Sequence, residues 1–133
     1  MTTIAAIIKE LNNFAPPIYQ ESYDNAQLLT GDIDLAVTGI LISLDCVEEV
    51  VEEAINNNCN LIVCHHPIIF SGLKSLTGKN HVERTIIKAI KNDIAIFASH
   101  TNLDNVQNGV NKIIANKIGL SETRVLSPKN NTL

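Results

Sequence analysis

The chain has 133 residues, enough for one domain with a real core and no disulfide staples. Aromatic residues make up only 4% of the chain against an apolar share of 45%, so that core has to be aliphatic, built from Ile, Leu, Val and Ala. A formal net charge of −4 with scattered Lys and Arg sets nucleic acid aside as a main partner, and no segment approaches the roughly 20 apolar residues needed to span a bilayer.

Ile4, Ile7, Ile8 and Leu11 recur at helical spacing; Thr2 or Thr3 can cap the start, Phe14 extends the stripe, and Pro16-Pro17 stops it. This opening stretch carries Lys9 and Glu10 and lacks a signal-type apolar run. Cys46, Cys59 and Cys64 form no CxxC pair and leave an odd count, which fits a reducing compartment. The expectation is a soluble, cytoplasmic protein with buried thiols, with a reactive or metal-bound Cys64 as the second reading.

A loop with Tyr23-Asp24-Asn25, readable as an Asx-type turn, runs to Gly31. Ala36 to Leu44 is β-branched and apolar on both faces, as a buried strand should be, and delivers Asp45 at its carboxyl end. Val47, Val50, Val51, Ala54 and Ile55 then mark an amphipathic helix whose solvated face carries Glu48, Glu49, Glu52 and Glu53. Leu61 to Cys64 reads as a second buried strand, followed directly by His65-His66-Pro67. A loop through Ser71-Gly72 and Thr77-Gly78, with His81 exposed, leads to a helix over Val82 to Lys91 with Ile86, Ile87 and Ile90 inward. Ile94 to Ala98 is the third buried strand and delivers Ser99-His100; a loop from Thr101 to Asn108 precedes a helical stripe of Val110, Ile113, Ile114 and Ile118, closed by Gly119.

Strand, helix, strand, helix, strand with short links predicts an α/β fold, a mainly parallel sheet flanked by helices. Its strands all finish on one side, about 4.8 Å apart, and α/β proteins bind ligands there. Three of the four histidines follow two of these strands, together with Asp45 and Asp104. Past the strand end, His65 and His66 are free to face one site, and Pro67 keeps His66 extended. In His100-Thr101-Asn102-Leu103-Asp104 a turn can bring the carboxylate back to the rim. Imidazoles and a carboxylate suit Zn, Mn, Fe or Ni, and a carboxylate can bridge two cations. The candidate metal ligands are His65, His66 and Asp104. Alternatives stay open: a capping or proton-shuttling His pair, His100 orienting Asp104 instead of ligating, and Asp45 capping the helix that begins at Val47.

Two cations need more ligands than this chain offers, since no His follows His100. The expectation is a metal-binding domain over residues 1–120 and a linker over 121–133, with a further segment or an oligomer completing the site.

The pattern resembles the N-terminal half of the GTP cyclohydrolase I type 2 homologue family, also called the Nif-three-like or dinuclear-metal-centre hexameric family. The resemblance runs from about Ile4 to Leu120. It rests on Tyr23-Asp24-Asn25-Ala26-Gln27-Leu28-Leu29 with Gly31, Ser43-Leu44-Asp45, Leu61 to Phe70 with its His65-His66-Pro67, His100 to Asp104, and Gly109-Val110-Asn111. Gln27 stands where the family usually has Gly, and Tyr23 where it often has Trp. The resemblance implies two divalent cations per complete subunit, His65 on one, His66 on the other and Asp104 joining His65, with a His and a Glu from the second half. It also implies a hexamer and hydrolysis of a nucleotide or other small molecule, GTP ring opening by the family's name. Within the chain, Asp45 and His100 are the available general bases, and no P-loop or GxGxxG supplies an independent nucleotide signature. A metal-binding oligomeric interaction or regulatory protein without turnover is the other class.

Overall fold

The computed structural model describes residues 1–128, so part of the linker expected over 121–133 lies outside the described residues. Helix α1 spans Ile4–Phe14 and is capped by Thr3, whose side chain accepts from the Ala6 N–H. A 3-10 turn, Pro17–Tyr19, follows the Pro16-Pro17 stop. The strands are β1 Leu28–Thr30, β2 Ile40–Ser43, β3 Leu61–Cys64 and β4 Ala95–Ala98. Helices α2, Glu48–Asn56, and α3, His81–Lys91, link the last three strands, and α4, Thr101–Asn105, and α5, Val110–Lys117, follow β4.

The sheet order is β1-β4-β3-β2, with β2, β3 and β4 parallel and β1 antiparallel to β4. The α/β architecture is therefore as expected, with one added strand. Leu28–Thr30 is too short to announce itself, and its partners, Phe97 and Ile96, lie far along the chain. Gly31 ends it with φ +110°; a Cβ there would sit 2.5 Å from the Cα of Ala95, so the close approach of the two backbones requires glycine.

Two aliphatic layers sandwich the sheet. On one face Val51 and Ala54 of α2 and Ile86 and Ala89 of α3 pack on Ile62, Cys64, Ile96 and Ala98. On the other, Ile4 with Ile7, Ile8 and Leu11 of α1 covers Leu61, Ala95 and Phe97. Of the two central strands β4 is fully buried, and β3 is buried except for the half-buried Val63.

Several expected core positions lie outside these layers. The strand read over Ala36 to Leu44 is only Ile40–Ser43 and is an edge strand: Ile40 and Ile42 are 40% and 79% exposed, because α1 covers the other end of the sheet. Phe14, Ile90, Ile113, Ile114 and Ile118 are exposed as well. In α3 the buried face runs through Glu83, Thr85, Ile86 and Ala89, which rotates Ile90 outward. The acidic face of α2 is partly paired, with Arg84 and Lys88 of α3 bonding Glu48 at 2.8 Å and Glu52 at 2.6 Å. Among the described residues no helix is long and apolar enough to cross a membrane.

Candidate metal centre

Ser43, Cys64 and Ala98 are neighbours in register, so the three parallel strands end side by side. The next residues, Leu44-Asp45, His65-His66 and Ser99-His100, therefore emerge at one rim. Backbone bonds fix these exits: the His66 N–H donates to the Leu44 carbonyl at 3.0 Å, and the Ser99 N–H to the Cys64 carbonyl at 3.0 Å.

The rings of His65, His66 and His100 meet there, with centroids 5.0 to 5.5 Å apart, and one ring nitrogen from each lies within 4.8 Å of the others. In each ring Nδ1 is already engaged. His65 Nδ1 is 2.9 Å from the Ser99 carbonyl oxygen, His66 Nδ1 2.7 Å from Asp45 Oδ1, and His100 Nδ1 2.8 Å from Asp24 Oδ1. A carbonyl or ionised carboxylate oxygen only accepts, so each Nδ1 carries the proton and donates. The lone pair of a neutral ring is then left on Nε2, and rings oriented this way are the usual form of metal-ligating histidine.

Asp104 joins them from α4. Its N–H donates to the His100 carbonyl at 3.0 Å, the helical bond that brings the side chain one turn back toward the rim. Asp104 Oδ1 stands 3.5 Å from His65 Nε2. That is long for a hydrogen bond but close to the roughly 3.4 Å between two ligands of a tetrahedral cation with bonds of about 2.1 Å. Spacing, donor type and ring orientation all fit a divalent cation.

The segment expected to be loop after His100 is thus a short helix, and it is anchored by a residue whose role sequence reasoning missed. Asp24, read as a turn residue, has a side chain with no exposed surface. Besides His100, it accepts from the Thr101 N–H at 3.0 Å, from the Thr101 hydroxyl and from the Asn25 N–H at 2.7 Å. Burial pushes its carboxyl upward, but the bonds from Thr101, His100 and Asn25 outweigh that and hold it below the ordinary range. The His100 ring is therefore oriented by Asp24, and its link to Asp104 is the backbone bond from the Asp104 N–H. Asp45 does not cap α2, whose N-cap is Val47 with no side-chain bond; it holds His66 instead. Cys64 donates to the Phe97 carbonyl at 3.6 Å, and burial pushes its thiol up to about 11, so it is a buried thiol outside the histidine cluster. His81 is exposed at the start of α3 and is not part of the cluster either.

A mainly parallel α/β sheet presenting three imidazoles that could hold a metal ion at its carboxyl rim defines the class of the domain. The chain belongs to the Duf34/NIF3 (NGG1p interacting factor 3) family, whose model matches residues 2–133. A protein named GTP cyclohydrolase 1 type 2 homolog from Clostridium acetobutylicum is 38% identical over 120 residues, covering 90% of this chain and 45% of that protein. The Staphylococcus aureus protein of the same name is 44% identical over 124 residues, covering 93% and 34%. The crystal structure of a Bacillus cereus protein related to NIF3 superposes with a TM-score of 0.91 at 40% identity, over 96% of this chain and 35% of that one. The chain thus spans less than half the length of these relatives.

Proposed function

We propose that this chain supplies one side of a dinuclear, metal-dependent hydrolytic centre, with His65 and Asp104 on one divalent cation and His66 on the other. The observation that carries the reading is the shared engagement of Nδ1 in all three rings, which leaves their Nε2 atoms at one rim beside a carboxylate. A divalent cation bound there supplies Lewis acidity and a nucleophile at neutral pH. The protein's own residues do the rest. Ser99 and Asp45 keep His65 and His66 in the ligating tautomer. Asp24 and His100 form a carboxylate–imidazole pair whose Nε2 can take up and return a proton beside the cations. Asp45, already bonded to His66, is the weaker base candidate.

The remaining ligands come from the rest of a longer subunit or from a neighbouring copy, in a homo-oligomer that the family resemblance makes a hexamer. The relatives' printed name points to a GTP-like nucleotide as the substrate class. Choice among Zn, Mn, Fe and Ni follows site geometry, ligand type and metal supply, not raw affinity.

The test has two parts. Titration of the chain with Zn(II) and Mn(II) should show binding that His65→Ala and Asp104→Ala weaken by more than the roughly 10–100-fold typical of losing an outer hydrogen-bond partner. A longer form carrying the second half, loaded with each metal, should open GTP or hydrolyse a phosphoester or amide, and His100→Gln should depress that rate while metal stays bound. Tight metal binding with no turnover across the panel would overturn the hydrolase in favour of a non-catalytic metal-binding assembly protein.

A further inference from the structure

Phe70 and Tyr23 are 51% and 66% exposed in a chain whose aromatic content is only 4%. Neither is exposed because its loop is loose. Phe70 follows Ile68 and Ile69, which pack against the core layer under α2 and α3. Tyr23 precedes the fully enclosed carboxylate of Asp24. The two loops are tied together by the Asn25 side-chain amide, which donates to the Ile69 carbonyl. The aromatic rings stand 6.5 Å apart at 52°, and Phe70 lies edge-on to His100 with centroids 6.5 Å apart at 82°. A row of rings thus runs outward from the histidine cluster, ending in two aromatic residues each more than half exposed to solvent.

Resting on the metal-centre reading above, we infer that Phe70 and Tyr23 form a stacking platform that selects ligands with a flat aromatic ring for the metal centre. Fixed, exposed aromatic faces next to a polar cluster suit a ring that stacks while its polar edge reaches the cations; stacking favours planar ligands of any edge pattern. A flexible aliphatic ligand or a small ring would gain little from the platform, so the extent of flat aromatic ring becomes the specificity determinant.

The test uses the chain loaded with Co(II), whose visible spectrum reports ligation, and two probes that coordinate through the same kind of nitrogen. Imidazole lacks, and benzimidazole carries, an extra fused planar ring. Wild type should favour benzimidazole over imidazole by about tenfold, toward the low end of what base–aromatic stacking gives. Phe70→Leu should bring that ratio to about twofold, and Tyr23→Leu should lower it part of the way. Both positions are exposed, and the cobalt spectrum of each variant reports whether the rim has kept its form. An unchanged ratio in both variants, with the cobalt spectrum intact, would overturn the platform alone. Absence of any cobalt spectrum in the wild-type chain would overturn the metal centre and the platform with it.

Discussion

Asp24→Ala removes a carboxylate with no exposed surface that serves four donors: His100 Nδ1, the Thr101 N–H and hydroxyl, and the Asn25 N–H. Thr101 is itself buried, so its N–H is stranded, at about 1–3 kcal/mol for an unsatisfied buried donor. Losing the charge-assisted bond from His100 adds about 1.5–3 kcal/mol, and water entering the vacated space returns part of the total. The expected loss is about 3 kcal/mol at neutral pH, with Asp24→Asn costing about half because one acceptor and the shape are kept. Urea denaturation should show this as a lower midpoint at constant slope. The sign with pH is fixed by the direction of the shift. A folded pKa below the unfolded one stabilises in full above the unfolded value, near pH 4, and that contribution fades as pH falls through the folded value. Wild type and Asp24→Ala should therefore converge in acid. A variant within about 0.5 kcal/mol of wild type at pH 7 would refute the claim that this carboxylate holds the rim together.

Glu83 offers a second acid-sensitive fastening. Its carboxylate accepts from the backbone N–H groups of Thr77, Gly78 and Lys79 and from the Thr77 hydroxyl, and chiefly the Thr77 backbone bond holds its pKa down at about 2. Its contribution is complete above the unfolded value of about 4.3 and is lost toward pH 2, so Glu83→Gln should lower the melting temperature at pH 6 and flatten its fall in acid. An unaltered acid limb would count against it. Gly109→Ala would place a Cβ 1.9 Å from the Leu103 carbonyl oxygen, next to Asp104. It should destabilise the chain by several kcal/mol, on the order of other buried steric conflicts, and weaken metal binding; a chain that melts and binds metal as wild type does would contradict that.

Most of the α/β frame was legible because β3 and β4 are continuous apolar runs and α1, α2 and α3 carry clean helical stripes. What sequence could not separate was a strand buried in the middle from one at the edge. Ile40 and Ile42 look as buried as Ile62 and Ile96, yet only strand order and the reach of α1 decide which meet water. Length hid β1 and α4, since three and five residues are too few for periodicity to register. At the rim, the convergence of His65, His66 and Asp104 could be anticipated because all three follow the ends of adjacent parallel strands. Asp24 could not. Its partners His100 and Thr101 lie 76 and 77 residues away, and an Asp beside an Asn reads first as a turn. The acidic pairs of α2 with α3 were hidden for the same reason: they join helices whose packing the periodicity does not specify.

That separation between Asp24 and its partners bears on the order in which the molecule comes together during synthesis. His65 and His66 leave the ribosome some thirty residues ahead of the segment carrying Ser99, His100 and Asp104. Until β4 docks beside β3, His65 has no Ser99 carbonyl to set its ring and no Asp104 carboxylate beside it. On the proposed metal-centre reading, a growing chain is thereby a poor scavenger of cations, and loading would follow the docking of the last strand, once folding has committed the residues that must share the charge.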